Sequence, residues 1–399
     1  MSDDVTTLYR AVADGRSRLP GPVFTSEEIF ELERSALLKR EWMCIGTPHH
    51  DLAAGSARPV SFLGQNLILA RTKEGALRMY HNFCRHRGAE LLAGEHRGNI
   101  MVCPYHNWSF DLHGRCRQTP HVGGHGIHSA PEVNKDELSL YGVRVEEWAG
   151  LLFLTFNEDA GSLEDYLAPL TSRWGAANLG AMTIDHSLTT TAQPRSNWKL
   201  VAENFVESYH VPSIHRDLQK VNPMADHGQL LGGDLYIGQR GDNYSARYLE
   251  MGWQGEPIPG ITLGSDEYEA IYLFPNTIIT LMQDHAFSIV IEPAGPAMTR
   301  ETINWHFHGD AMLGESAEPA RKEFQRFLRQ VNDEDIGIVE SMQRARGSAA
   351  FDGGVFTEAH EQASAHLQKL YALRMLQHIE GAEAPGVDLP IRDIASASA

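Results

Sequence analysis

The chain has 399 residues, and its 34 Lys+Arg against 52 Asp+Glu leave a net charge of −18, which argues against nucleic acid and anionic membranes as partners and suits a basic protein partner. At about 100 to 200 residues per domain the length allows two domains with cores of their own. Four Cys make no disulfide framework, no basic leader followed by an apolar run opens the chain, and no apolar stretch approaches membrane-spanning length, so the expectation is a reduced, cytoplasmic protein that is neither exported nor membrane-spanning.

In chain order, Ser26 to Trp42 reads as a helix, with Ser26 as N-cap, Glu27 and Glu28 in the first turn and Ile29, Leu32, Ala36 and Leu37 on one face. From Met43 to Asn157 the period changes to short alternating or apolar runs (Val60 to Phe62, Asn66 to Arg71, Leu151 to Phe156) separated by Gly, Pro and Asp, the pattern of antiparallel β-structure. A capped helix from Ser162 to Leu170 opens a second domain, in which strands (Thr183 to Thr191, Ala270 to Leu281, Phe287 to Glu292, Thr302 to His308) mix with long helices. This predicts an α+β protein, a small all-β domain followed by an antiparallel sheet flanked by helices. The stretch from His215 to Glu269 is long, Gly-rich and weakly periodic, as insertions that cover a site often are. The Ala/Ser tail after Asp393 reads as disordered.

Within the β-domain, Cys84-Arg85-His86 and Cys103-Pro104-Tyr105-His106 follow two strand-like runs, Leu77 to Asn82 and Asn99 to Val102. Two thiols and two imidazoles at this spacing point to a metal. Zinc fingers usually pair like with like, whereas each pair here is mixed, which suits a [2Fe-2S] centre with Cys on one iron and His on the other. A structural zinc and unrelated core Cys with solvated His are the other readings. His121, His125 and His128 lie in a Gly-flanked stretch without acid or thiol partners and read as a solvated loop instead of a second metal site.

The segment Glu203 to His210 reads as a helix that places Glu203, Glu207 and His210 on one face. Pro212 then bends the chain, so that His215 returns to the side of His210. Standing alone, such a segment is also compatible with a polar solvated face. A helix from Glu318 to Arg346 puts Phe324, Leu328, Val331, Ile338 and Met342 on one stripe with Asp335 in its middle, whereas Asp333 and Glu334 point away as solvated acids. A carboxylate on a core-facing stripe must be paired, neutralised or metal-bound. His210, His215 and Asp335 together form a candidate two-His, one-carboxylate set for non-haem Fe(II) with positions left open. Pairing of Asp335 with a buried Arg, or a capping role, is the alternative.

Taken together, CRH with CPYHNW at Cys84 to Trp108, NWKL with ENFVESYHVPSIH at Asn197 to His215, LFPN at Leu273 to Asn276 and EDIGIVESMQ at Glu334 to Gln343 resemble the Rieske non-haem iron oxygenases, specifically the terminal oxygenase alpha subunit. The resemblance implies a Rieske [2Fe-2S] cluster held by Cys84, His86, Cys103 and His106 and a mononuclear Fe(II) held by His210, His215 and Asp335, with Glu207 and Asn204 as catalytic residues. It divides the chain into an N-terminal helical segment, 1–42, packing on the catalytic domain, a Rieske domain, 43–160, and a catalytic domain, 161–399. It further implies a homotrimer in which Glu207 bridges to a neighbour's cluster, and an NAD(P)H-dependent flavin or iron-sulfur reductase as electron donor, since no convincing G-x-G-x-x-G unit occurs in this chain. Glu207 stands where many aromatic-ring dioxygenases have Asp, and is similar to the oxygenases of glycine betaine, carnitine or stachydrine. The implied activity is hydroxylation or oxidative N-demethylation of a small quaternary ammonium compound. Aromatic-ring hydroxylation is the alternative, and an electron-transfer or zinc-binding protein is the reading if the iron triad is wrong. Tyr272, Phe274, Trp253, Phe287, Trp305 and Phe307 are candidate rings around a trimethylammonium group. Asn107 replaces the Gly common after the second cluster His.

Overall fold

The computed structural model describes residues 2–242, 253, 255–381 and 387–395. Two units emerge, Lys39–Ala160 and Met1–Leu38 with Gly161–Ala399. Acidic and basic residues are equal in number between Lys39 and Ala160, so the acidic excess of the chain lies on the other unit.

Lys39–Ala160 is all-β. Its seven-stranded antiparallel sheet runs in the order Met43–Cys44, Leu151–Thr155, Gly142–Trp148, Leu77–His81, Gln65–Arg71, Ser56–Phe62, His96–Arg97. A second sheet of three strands, Ile100–Val102, Ser109–Asp111 and Cys116–Gln118, sits beside it. Ile68, Tyr80, Met101, Trp108 and Phe110 are buried together beneath the ends of the two sheets. The chain leaves Leu77–His81 just before Cys84 and leaves Ile100–Val102 at Cys103, so strands set the positions from which both Cys-His loops start.

The other unit is built on a nine-stranded antiparallel sheet. Eight strands follow one another as Thr183–Ile184, Met298–Phe307, His285–Gly295, Thr277–Met282, Tyr268–Leu273, Tyr236–Gly241, His227–Gly232, Ile391–Ile394, and Thr190–Ala192 pairs beside Met298–Phe307. Tyr268–Leu273 and Thr277–Met282 are buried at every position, because both faces of the sheet are covered. Ser162 caps the helix Leu163–Arg173, its hydroxyl accepting from the Asp165 N–H. Ser26 Oγ likewise accepts from the Ile29 N–H at 3.3 Å at the start of Glu27–Arg40. That helix is anchored by Glu33, fully buried, whose carboxylate receives Lys199 Nζ at 2.8 Å and the Tyr371 hydroxyl.

Three expectations change here. Part of the stretch expected to be a lid, His215 to Glu269, is the hairpin His227–Gly232 and Tyr236–Gly241 inside the sheet; residues 243–252 and 254 of it lie outside the described residues. Of the Ala/Ser tail after Asp393, expected to be disordered, Ile394 closes the strand Ile391–Ile394, which pairs with His227–Gly232, and residues 396–399 lie outside the described residues. The helix expected from Glu203 to His210 ends at Phe205. The carboxylate of Glu207 accepts from the backbone N–H groups of Tyr209 and His210, a local side-chain bond that replaces the helical one and turns the chain. Pro212 then lies inside a new short helix, Val211–Ile214, so it continues the turn instead of making it. No helix among the described residues is long and apolar enough to cross a membrane.

Candidate functional site

The two Cys-His loops of the β-unit are built alike. Gly88 N–H donates to the Cys84 carbonyl at 3.0 Å and Asn107 N–H to the Cys103 carbonyl at 3.1 Å, closing each loop over the same interval. Gly88 and Asn107 both stand in the left-handed region, at φ 76° and 59°. Asn is among the few non-glycine residues that adopt this conformation readily, which explains how Asn107 replaces the expected glycine. Cys84 and Cys103 are buried, His86 is exposed and His106 half-buried, so the thiols lie inward and an imidazole edge reaches the surface. The His86 ring stacks on Trp108 at 4.7 Å and 10°, and the two imidazoles lie 4.7 Å apart.

These residues fit a [2Fe-2S] cluster. His106 Nδ1 is buried without a hydrogen-bond partner, a donor atom awaiting a ligand. Burial pushes the Cys84 thiol up to about 11, with Cys103 beside it, so paired thiolates there require cationic metal. Burial, then His106 and Arg87, hold the His86 imidazole below its ordinary value, which keeps it a neutral ligand. The His121, His125 and His128 imidazoles are exposed; those of His121 and His128 accept from the backbone N–H groups of Gly126 and His121.

In the sheet unit, His210, His215 and Asp335 converge. His210 Nε2 and His215 Nε2 are 3.2 Å apart, and Asp335 Oδ1 lies 2.9 Å from His215 Nε2 and 3.5 Å from His210 Nε2. Each imidazole is held from behind by a carboxylate: His210 Nδ1 by Glu207 Oε1, and His215 Nδ1 by Glu334 Oε2 at 2.8 Å. These bonds place the ring protons on Nδ1 and leave both Nε2 lone pairs directed at each other and at Asp335, an arrangement that suits a metal ion. One ligand atom from each of the three lies within 4.8 Å of the others, close enough to hold an ion. Burial lowers the His215 imidazole, but Asp335 and Glu334 outweigh it and raise it overall; a metal replaces that extra proton.

Two expectations are corrected here. Glu334 is no solvated acid pointing away; it supports His215. Glu203 does not share the site: it is buried, accepts from Gln368 Nε2 at 2.8 Å, and burial raises its carboxyl. Asn204 does reach the triad, its Nδ2 lying 3.4 Å from His210 Nε2.

A cavity of about 130 Å³ opens onto the triad. Its floor is a row of side chains directly opposed across four neighbouring strands, Gln239, Ala270, Thr280 and Phe287. Directly opposed residues in antiparallel strands share a face, and the small pair Ala270 and Thr280 between longer neighbours leaves the space. Leu328 and Val331 of the helix Glu318–Arg346 close the wall next to Asp335. The aromatic lining is Phe205, Tyr268 and Phe287. Of the six rings expected around a substrate, Phe287 alone lines the cavity; Tyr272, Phe274, Trp305 and Phe307 are fully buried core, and Trp253 packs on His285, Phe307 and Phe324. Phe205 and Tyr268 were missed because neither stands in the alternation of the expected strands.

Residues 41–133 match the Rieske [2Fe-2S] domain, and residues 182–377 match the ring hydroxylating alpha subunit catalytic domain, which binds mononuclear iron. The chain is 26% identical to the carnitine monooxygenase oxygenase subunit of Acinetobacter baumannii, over 84% of this chain and 86% of that one. It is 26% identical to the glycine betaine monooxygenase oxygenase subunit of Pseudomonas aeruginosa, over 95% of each. The solved structure of a quaternary ammonium Rieske monooxygenase superposes with a TM-score of 0.72 at 22% identity, covering 91% of this chain and 95% of that one. With the fold, both metal-binding domains and the chain-length similarity in agreement, the protein belongs to the Rieske non-haem iron oxygenases, as an oxygenase alpha subunit.

Proposed function

We propose that this oxygenase hydroxylates or oxidatively N-demethylates a small quaternary ammonium compound. The carrying observation is the cavity lining: three aromatic rings, the carboxylate of Glu207, which is not an iron ligand, and, among the described lining residues, no Lys or Arg. Aromatic faces attract a desolvated ammonium by about 0.5 to 2 kcal/mol per ring, and the Glu207 carboxylate adds to this. Burial holds the His227 imidazole below its ordinary value, so it brings no opposing charge. The relatives named for carnitine and glycine betaine monooxygenation support the same substrate class.

Bound cluster and iron supply electron storage and O2 activation, with the electrons coming from a partner reductase. His210, His215 and Asp335 hold the mononuclear iron, and Glu207 and Glu334 keep the ligand protons on Nδ1. Cys84, Cys103, His86 and His106 hold the cluster. Asn204 offers an amide beside the triad to whatever binds there. The remaining parts of the reading are a reductase that is NAD(P)H-dependent, division into the Rieske domain 43–160 and the catalytic domain 161–399, and a homotrimer in which Glu207 faces the neighbour's cluster. Glu207 is suited to that task because one carboxylate touches the ligand His210 and its backbone together.

Reductase-coupled O2 uptake with product analysis tests the proposal. Quaternary ammonium compounds should stimulate uptake and yield a hydroxylated or demethylated product. Stimulation by aromatic compounds alone would refute it in favour of ring hydroxylation.

A further inference from the structure

One chain of hydrogen bonds in the cavity wall has a direction that can be followed from a fixed end. The backbone carbonyl of Phe205 only accepts, and Gln239 Nε2 donates to it at 2.7 Å. Gln239 Oε1 therefore faces His227 Nδ1, at 2.9 Å, as an acceptor, and the imidazole proton resides on Nδ1. His227 Nε2 then carries a lone pair. It lies 3.3 Å from the Asn222 carbonyl, which cannot donate, and 3.4 Å from the Tyr268 hydroxyl, which can. With its proton given to His227, the Tyr268 oxygen accepts from Asn222 Nδ2 at 2.9 Å. Gly241 makes room for this tyrosine, since a Cβ there would lie 2.5 Å from the Tyr268 ring.

The chain ends on Asn222 Oδ1. Asn222 is 4% exposed and lines the cavity, and Oδ1 has no partner among the described residues. Thr280, 5% exposed in the cavity floor, has its Oγ1 in the same condition. Buried polar atoms are seldom left unpaired, and two in one cavity indicate a ligand. Asn222 Oδ1 accepts only, whereas Thr280 can accept or donate.

We propose that Asn222 and Thr280 form a subsite that reads an O–H or N–H donor on the substrate, favouring a quaternary ammonium cation that bears a hydroxyl or amide N–H over one whose polar group is a carboxylate alone. The cationic part rests on the function proposed above; the donor part rests on the hydrogen-bond directions.

The test is calorimetric binding to the holoenzyme of a matched pair, (2-hydroxyethyl)trimethylammonium and ethyltrimethylammonium. The hydroxyl compound should bind about ten- to hundredfold more tightly. Thr280→Val and Asn222→Leu should each reduce that preference severalfold by weakening the hydroxyl compound, with the deoxy compound changed by less than about twofold. Tyr268→Phe removes the oxygen that orients the Asn222 amide; the amide is then free to present Nδ2, and glycine betaine should bind more tightly than to the wild type, a gain that general damage does not give. Equal binding of the matched pair by the wild type, with water alone satisfying the two oxygens, overturns the subsite, as does equal weakening of both compounds in both Thr280→Val and Asn222→Leu. Binding of benzyl alcohol over toluene by the same margin, with neither ammonium compound bound, supports the donor subsite and refutes the quaternary ammonium reading.

Discussion

Replacing Glu334 by Ala isolates the support behind one proposed iron ligand, His215, from the ligand itself. His215 is 1% exposed and its Nδ1 rests on Glu334 Oε2 at 2.8 Å, while Gln330 Nε2 steadies the other carboxylate oxygen at 3.1 Å. Removing such a partner of a metal-bound imidazole lowers metal affinity by about 10- to 100-fold, or about 1.4 to 2.8 kcal/mol. The Glu334 side chain is 31% exposed, so solvent takes over part of its task and the expected loss lies in the lower half of that range. Glu334→Gln retains a neutral acceptor and should lose only a few-fold. Anaerobic Fe(II) titration against a competing chelator reads this directly, with the visible spectrum of the cluster as internal control. Unchanged iron affinity in Glu334→Ala, beside a control in which Asp335→Ala has lost the iron, would mean that packing alone orients His215.

Asp335→Ala should abolish mononuclear iron while sparing the cluster spectrum; full iron content in that variant would remove Asp335 from the ligand set. Glu207→Gln should leave both metals bound but slow turnover, and a rate equal to wild type would deny Glu207 any role in electron passage. Glu33→Ala leaves Lys199 buried without its counter-ion, in a pair exposed by only 0% and 4%, and should cost about 3 to 5 kcal/mol of stability, seen as a lower urea midpoint; a shift below about 1 kcal/mol contradicts this. Burial, then His186, holds His306 down at about 3, against 6.5 for the ordinary group. The unfolded chain therefore takes up a proton below pH 6.5 that the folded one refuses, so stability is complete above pH 6.5 and falls as pH drops toward 3. Between pH 6.5 and 4.5 this one group should cost about 2 kcal/mol, and His306→Gln should show a correspondingly flatter acid limb in urea titrations; parallel limbs would contradict the assignment.

The cluster motif and the triad were legible because both are written in short sequence intervals or helical phase. Cys84 to His106 combines ligand types that few other sites need, and Asp335 stands out as an acid amid the apolar period of Glu318–Arg346. Glu334 was misread for the same reason: its phase points it off that stripe, yet a long side chain reaches around to His215, which a periodicity cannot express. The turn at Glu207 was hidden because a side chain took over backbone bonds that the helical pattern assigned to the main chain. The cavity was hidden more deeply, since Gln239, Ala270, Thr280 and Phe287 meet only through pairing of four strands. Alternation says that Trp305 and Phe307 lie on one face of a strand, but not that this face is sealed core.

Because Glu334 and Asp335 are consecutive, one helix carries both a proposed ligand to the iron and the clamp on another proposed ligand. Metal occupancy and the rigidity of Glu318–Arg346 are thereby linked in both directions. Ligand binding to the folded form alone stabilises it by about 2.7 kcal/mol at a hundredfold excess over Kd, and that free energy should appear first as slowed amide exchange around Val331 to Val339. A strain in this helix that frays its middle turns would be felt as iron loss, long before the sheet beneath it opens.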